Sequence, residues 1–388
     1  MADGSEVLFS ITREQLNTGL RGFPVGTCRT SAVDPVGGVS YVGYPVADLA
    51  YRDPEEIVYL LLERALPTPE QLAAFKEDLR RRSGIDPKVL AMLKTLPVEG
   101  HPMEWLQAGL IFLGMTSKTG DYAEDARNVI VWAPELVAAI FRLRSGWGDP
   151  IAPDPSLGLV ENFVHMLGVP GGDPARLTRL LRVFYVLHLD HGGGNLSTFV
   201  GKAAASSLTD QFSSLAAAMA ALYGPLHGRA NQDCLDFVRK VGTADPVEVE
   251  RFVRAELDAG GKIYGFGHAV LRAEDPRALV EYELGDRICG DDPLFAVART
   301  LRDVATRVLK ESPKVSNPYP NVDAVSGTLL NAVGLTDSNY YTVLFGLSRI
   351  AGIAAQIVEE RLRLRGGKGI PIYRPKYLAE DQPKRRLT

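Results

Sequence analysis

Three short segments of this chain each set one ionisable side chain among Gly, Pro or Asn. They are Gly224-Pro225-Leu226-His227-Gly228, Gly265-Phe266-Gly267-His268-Ala269 and Pro320-Asn321-Val322-Asp323-Ala324. Two imidazoles and a carboxylate can serve as proton donor, proton acceptor and polariser of a carbonyl oxygen. Gly and Pro fix unusual backbone angles, and Gly lets a substrate lie against the main chain. A single His beside Gly is more often a packing residue than a catalytic one. Three such segments between residues 224 and 324 exceed what packing calls for, and they point to acid–base chemistry.

The order and flanks of these segments resemble the catalytic pattern of the citrate synthase family. The stretch His188-Leu189-Asp190-His191-Gly192-Gly193-Gly194-Asn195 is similar to the family's H-x-D-H-x-G-G-N. Further matches are Ala269-Val270-Leu271-Arg272 with Asp275-Pro276-Arg277, then Asn339-Tyr340-Tyr341-Thr342-Val343-Leu344-Phe345-Gly346, and a closing Arg374-Pro375-Lys376. The resemblance runs from about Ile11 to about Lys376 and is nearer to mitochondrial-like members than to the long, NADH-regulated bacterial ones. Two departures border the substrate region: Gly192 stands where such members often carry Glu, and Val325 where they often carry His.

The resemblance implies an all-α, two-domain helical fold with at most a small β-hairpin near the N-terminus. The large domain would comprise residues 1–227 and 331–388, the small one 228–330. It also implies a reaction, the condensation of acetyl-CoA with oxaloacetate and hydrolysis of citryl-CoA to citrate and CoA. Asp323 would take a proton from the acetyl methyl while His227 hydrogen-bonds the thioester oxygen, and His268 would polarise the ketone. Loss of a proton beside a thioester requires immediate stabilisation of the enolate oxygen, which assigns a neutral His a donor's role. By the same resemblance His191, Arg277, Arg349 and Arg374 hold the carboxylates of oxaloacetate and citrate. Arg272, Lys314 and the loop Gly265-Phe266-Gly267 would hold CoA, with Arg21 and Arg142 as further CoA candidates. The implied assembly is a homodimer with shared active sites, Arg374 reaching into the neighbour's pocket. No metal or permanently bound cofactor is called for; acetyl-CoA and CoA are substrate and product.

One arginine has independent support. Arg349 lies in a run that is otherwise apolar from Tyr340 to Ile357. A buried guanidinium needs an anion, either an internal carboxylate or a ligand. Without the family match, Arg277 and Arg374 would be assigned to the surface. Among the other histidines, His165 sits on an apolar helical face, His101 precedes Pro102 at a helix entry, and His188 is placed to position His191. No paired carboxylate or Cys accompanies the histidines at ligand spacing.

The elements that must position these groups are mostly helical. Asp53-Pro54-Glu55-Glu56 opens a helix reaching Leu66, and Thr68-Pro69-Glu70 opens another reaching Ser83-Gly84. The stretch Leu196 to Tyr223, dense in Ala, Ser and Leu, reads as helix in tight contact. Thr336-Asp337-Ser338 caps a run from Asn339 to about Arg363, apolar nearly all round and therefore central. Val39 to Tyr44 alternates like a short hairpin after Gly37-Gly38.

Bulk properties narrow the classes. A chain of 388 residues that is 46% apolar can bury a sizeable core. A net charge of −4 gives no electrostatic footprint for nucleic acid. Cys28, Cys234 and Cys289 show neither paired nor metal-like spacing, which favours a reducing compartment. The first six residues carry two acids and no base, unlike a signal or transit peptide. The location expected from these features is cytoplasmic. Gln211 to Gly228, weakly charged but rich in Gln, Ser, Gly and Pro, reads as a buried helix and its exit and not as a membrane span. Residues 361–388 carry nine Lys or Arg against two acids, a basic tail suited to solvent or to an anionic ligand across a subunit boundary. Two rival functions remain at this stage. One is 2-methylcitrate synthase, which differs by one methyl on the acyl group. The other is a catalytically silent, CoA-binding helical scaffold.

Overall fold

The computed structural model describes residues 9–268, 270–313, 315–379 and 385. Its first helices are α1 (Val46–Leu49), α2 (Pro54–Glu63), α3 (Pro69–Arg81), α4 (Pro87–Leu93), α5 (Pro102–Ser117), α6 (Tyr122–Arg144), α7 (Leu159–Leu167) and α8 (Pro174–His188). There follow α9 (Leu196–Ala205), α10 (Gln211–Tyr223), α11 (Ala230–Val241), α12 (Pro246–Asp258), α13 (Pro276–Ile288), α14 (Pro293–Lys310), α15 (Asp323–Ala332) and α16 (Tyr341–Val358).

One local rule starts half of them. Pro opens α2, α3, α4, α5, α8, α12, α13 and α14, and the preceding Asp, Thr or His side chain accepts a main-chain N–H of the first turn. Pro has no N–H to leave unpaired there, and the cap satisfies one that would be. Two expected spans are shorter than read. α2 stops at Glu63 because Arg64 turns left-handed, at φ 60°. The 196–223 stretch is two helices, broken at 206–210 with Leu208 at φ 67°.

Helix accounts for 58% of the chain, and strand only for an antiparallel sheet in the order β1 (Ser31–Asp34), β2 (Gly38–Tyr41), β3 (Tyr44–Pro45). The fold is all-α. The hairpin expected at 39–44 is present as β2 and β3, and β1 joins it in a register that pairs Val33 with Val39.

α16 is the centre of the molecule. Of its residues only Phe345 is not buried, and it packs against α2, α6, α8, α9 and α10. The span Ser338–Arg363 is long and apolar enough to cross a membrane, but 94% of its most apolar window lies inside the protein, as a core helix does. Gly352 lets α16 meet the chain after α8: a Cβ there would stand 1.9 Å from the Leu189 carbonyl oxygen. α11 to α15 pack chiefly on one another, α11, α13 and α14 against α15 and α12 against α14. They meet the remaining helices mainly through α13, which lies on α1 and α8.

Candidate active site

His227 sits in a tight turn at the exit of α10, where its N–H and that of Gly228 both donate to the Gly224 carbonyl. Its half-buried ring faces the start of α9. The Ser197 main-chain N–H donates to His227 Nε2 at 3.1 Å, with Ser197 Oγ 2.9 Å away. An acceptor Nε2 places the proton of the neutral ring on Nδ1. Burial, aided by the Arg349 charge, lowers the His227 pKa to about 4, so the ring is neutral.

His268 carries the opposite tautomer. Its Nδ1 accepts from the N–H groups of Val270 at 3.0 Å and Leu271 at 2.9 Å, which leaves Nε2–H as the donor. Burial first, then Arg277, holds it neutral as well. The loop that carries it is stitched to the segment that carries Asp323. Phe266 bridges Pro320, Asn321 N–H donates to the Gly265 carbonyl, and Asn321 Nδ2 donates to the Gly267 carbonyl. Asn321 Oδ1 in turn accepts from Asp323 N–H at 3.0 Å. Gly265 is the one residue type that fits: it has φ +81°, and a Cβ would lie 2.6 Å from Ala324 Cα. Asp323 opens α15, and burial raises its pKa to about 6 against the opposing charge of Arg277. A carboxylate so raised is a stronger base than a solvated one.

His191 leaves α8 on a fixed backbone. Asp190 is fully buried and accepts from Thr30 Oγ1, Gln356 Nε2 and the His191 N–H. The His191 ring centroid lies 5.5 Å from that of His268. Burial, with Arg277 and Arg349 nearby, pushes its pKa well down.

Arg277 and Arg349 are both buried and differently held. Arg277 forms a bidentate pair with Asp275, Nε to Oδ1 at 3.1 Å and Nη2 to Oδ2 at 2.8 Å. Arg349 donates Nε to the His188 carbonyl and Nη1 to Asn195 Oδ1, and lies 4.7 Å over the Phe345 ring. Among the described residues no carboxylate is within ion-pair distance of it, so the internal partner that the sequence left open is absent there. Burial brings the Arg349 pKa down to about 10, which leaves it charged at neutral pH. The charges of both arginines act on His191 and Asp323. Arg349 also acts on His227, and Arg277 on His268, so the six groups share one electrostatic neighbourhood.

The other expected residues are more dispersed. Arg272 is exposed and donates Nη1 to the carbonyls of its own loop, Val270 and Leu271 among them. Lys314 lies outside the described residues. Arg21 is exposed in a turn near the N-terminus. Arg374 is exposed on a tail that runs beside α9, where Tyr373 N–H donates to Ser206 Oγ. The root of that tail is tied: Arg361 and Arg365 donate to the carbonyls of Ile370 and Gly369. Arg142 is a correction. It is buried and spends its guanidinium on the carbonyls of Trp147, Asp149, Leu167 and Gly168, holding the α6–α7 connection, and it has no face for a phosphate.

His101 caps α5 through Nδ1, as its place before Pro102 suggested. His188, expected to position His191, is fully buried, with Nδ1 on the Phe184 carbonyl and its own carbonyl accepting Arg349 Nε. His165 is exposed and bonds the Ala152 carbonyl. Sequence reasoning passed over Ser197, Asn321, Asp190 and Asp275, whose task is to hold other groups. For the last three the available signal was adjacency, since each stands within two residues of an expected site residue; Ser197 carried no such signal. Among the described residues no group of three or more His, Cys, Asp or Glu is arranged to hold a metal ion.

Residues 19–376 match the family model described as citrate synthase, C-terminal domain. The chain belongs to the citrate synthase family. It is 36% identical over 402 residues to a mitochondrial citrate synthase of Daucus carota, covering 96% of this chain and 84% of that one. It is 35% identical over 407 residues to mitochondrial citrate synthase 4 of Arabidopsis thaliana, covering 97% and 84%. Among solved structures it resembles the citrate synthase of Thermotoga maritima, with TM-score 0.82, 29% identity, and 95% and 97% of the two chains covered. It also resembles that of Thermoplasma acidophilum in ternary complex with carboxymethyl coenzyme A and oxaloacetate, with TM-score 0.84, 26% identity, and 96% and 97% covered. The chain is therefore an acyltransferase that forms citrate from acetyl-CoA and oxaloacetate. The cytoplasmic location expected from the sequence is overturned, because the curated relatives that match so much of the chain are named mitochondrial citrate synthases. The composition of six residues was too weak a signal to decide a compartment.

Proposed function

We propose that the reaction runs between the α8–α9 and α16 side, with His191, His227 and Arg349, and the α11–α15 side, with His268, Arg277 and Asp323. The observation that carries this reading is the pair of opposed tautomers. Main-chain N–H groups occupy His227 Nε2 and His268 Nδ1, so each neutral ring has one N–H left to give. Asp323 takes a proton from the acetyl methyl while His227 Nδ1–H donates to the thioester oxygen, stabilising the enol form. The enol carbon attacks the ketone carbon of oxaloacetate, and His268 Nε2–H delivers its proton to the new alkoxide. Water then cleaves the thioester, giving citrate and CoA. Arg349, Arg277 and His191 receive the carboxylates of the oxo acid.

The finer elements of the reading are these. Residues 228–330 form a small domain that closes on the large one once oxaloacetate bridges them, completing the CoA site. The loop Gly265-Phe266-Gly267, with Arg272, lies along CoA, whose class of compound the Thermoplasma enzyme holds in its ternary complex. Lys314 and Arg21 belong to the same assignment on the resemblance alone. The enzyme is a homodimer, and the exposed Arg374 serves the partner's pocket. Acetyl-CoA is the preferred acyl donor over propionyl-CoA.

Thiol release in the presence of oxaloacetate tests the donor: kcat/KM is expected to be higher with acetyl-CoA, and a higher value with propionyl-CoA overturns that choice. Mixing Arg374→Ala with Asp323→Asn protein under subunit exchange tests the dimer. If the tail crosses over, mixed dimers hold one intact site and activity returns. Confirmed exchange without recovered activity removes Arg374 from the partner's site.

A further inference from the structure

Glu281 is the most anomalous charged residue in the molecule that the mechanism above does not use. It lies on α13, one helical turn beyond Arg277, and is fully buried. Neither carboxyl oxygen has a hydrogen-bond partner. A buried ionised carboxylate with no hydrogen-bonding side chain or main-chain group is far too costly to keep, and a neutral acid costs much less.

Its surroundings are those of the active site. Asp323 on α15 acts on it most strongly among charged groups, followed by Arg277 and Asp275 at the start of its own helix. α8, also packed on α13, brings the buried and uncharged Tyr185 and His188, while its Arg176 bonds the Ile288 carbonyl at the far end of α13 and its Arg182 pairs with Glu161. α1 brings only the exposed Asp48, and Arg302 of α14, lying over Tyr282, pairs with Glu274. No cation on these elements other than Arg277 is placed to neutralise Glu281, and Arg277 already holds Asp275 in a bidentate pair.

We propose that Glu281 is a positioning residue for this site, a buried carboxylic acid that keeps its proton and so leaves the charge of Arg277 available to the oxo acid. It acts through Arg277 and Asp323 without touching substrate. If ionised, it would add a second negative charge to an arginine that already carries one. Burial, with Asp323 beside it, raises the Glu281 pKa well above the ordinary carboxyl range, in agreement with the protonated form. Ionisation at alkaline pH should then weaken oxo acid binding and affect turnover at saturation less.

The inference rests on the assignment of Arg277 to the oxo acid, and two measurements separate the two. The first is infrared difference spectroscopy of the intact wild-type protein against Glu281→Gln at pH 8, where Asp323 is ionised. A protonated carboxyl band present only in wild type is expected, and a carboxylate band instead overturns the inference whatever Arg277 does. The second is the pH dependence of KM for oxaloacetate. In wild type KM should rise roughly tenfold toward alkaline pH, the size of one pKa unit of coupling between neighbouring charges, with a smaller change in kcat. Glu281→Gln, which cannot ionise, should lose that rise. An equal rise in the variant, or a flat wild-type profile up to the pH of unfolding, overturns the proposal. If Glu281→Gln does not fold, the wild-type KM profile alone still decides it. Retention of full oxaloacetate affinity by Arg277→Met would instead sink the assignment of Arg277 and leave the infrared result standing.

Discussion

The two buried arginines of the cleft are built on opposite plans. Arg277, on the α13 side, brings its own carboxylate: Asp275 caps the helix and clamps the guanidinium in one stroke. Arg349, on the α16 side, has only a carbonyl, an amide oxygen and an aromatic face. A paired guanidinium is stable without ligand and offers a dianion less net charge. An unpaired one holds the desolvation cost open until an anion arrives. Under the proposed function the difference gives the two sides different work, with α16 supplying the stronger anchor and α13 an anchor whose charge is already partly balanced.

The largest expected effects lie outside that pair, since the proposed function has the arginines bind while other groups react. Asp323→Asn and His227→Ala should each lower kcat by about 10²–10⁴-fold, with oxaloacetate affinity retained in calorimetry. A fall under roughly threefold, well short of that range, removes the residue from the chemistry. Asp323→Asn should also raise the Tm at neutral pH. The folded pKa of Asp323, about 6, stands above the unfolded value of 3.8. Its contribution to stability is therefore complete below the unfolded pKa and lost as pH rises through about 6. Asparagine, which does not ionise, escapes that loss. An unchanged or lower Tm contradicts the burial argument.

The comparison itself is sharpened by truncating each arginine. Arg277→Met leaves Asp275 buried without its partner and should destabilise the fold by about 3–5 kcal/mol in denaturant unfolding. Arg349→Met leaves no carboxylate behind and should cost much less stability, while weakening oxaloacetate by roughly thirtyfold, about 2 kcal/mol, or more. Equal stability losses in the two variants would break the contrast.

A smaller effect is expected from pH. kcat/KM should rise with pH through one limb near 6, set by Asp323, because His227 at about 4 is already neutral there, ahead of the alkaline fall expected from Glu281. A second limb between pH 5 and 8 in wild type would place a titrating histidine in the mechanism. The smallest effect is Ser197→Gly, which removes the hydroxyl but keeps the N–H that fixes the His227 tautomer. kcat should fall less than about tenfold, the value of one neutral hydrogen bond. A loss as large as that of His227→Ala would show that the hydroxyl, not the main chain, sets the ring.

By itself the sequence determined the helical class, the helix starts at Asp-Pro and Thr-Pro and the central place of the Asn339–Arg363 run, and it offered the three segments as candidates for the chemistry. These are local matters: a cap, a missing N–H, an apolar circumference and a glycine angle are each set within a few residues. The breaks at Arg64 and Leu208 were hidden because a non-glycine residue in the left-handed region leaves no local mark. Tertiary structure alone decided which ring nitrogen of each histidine carries the proton, since that depends on main-chain N–H groups arriving from α9 and from the loop after His268. It alone decided that Arg142 is spent on carbonyls, that Arg277 is paired and Arg349 is not, and that Glu281 lies buried beside Asp323. Charge, tautomer and basicity are properties of the surroundings, and for a buried group those surroundings come from residues far away in the chain.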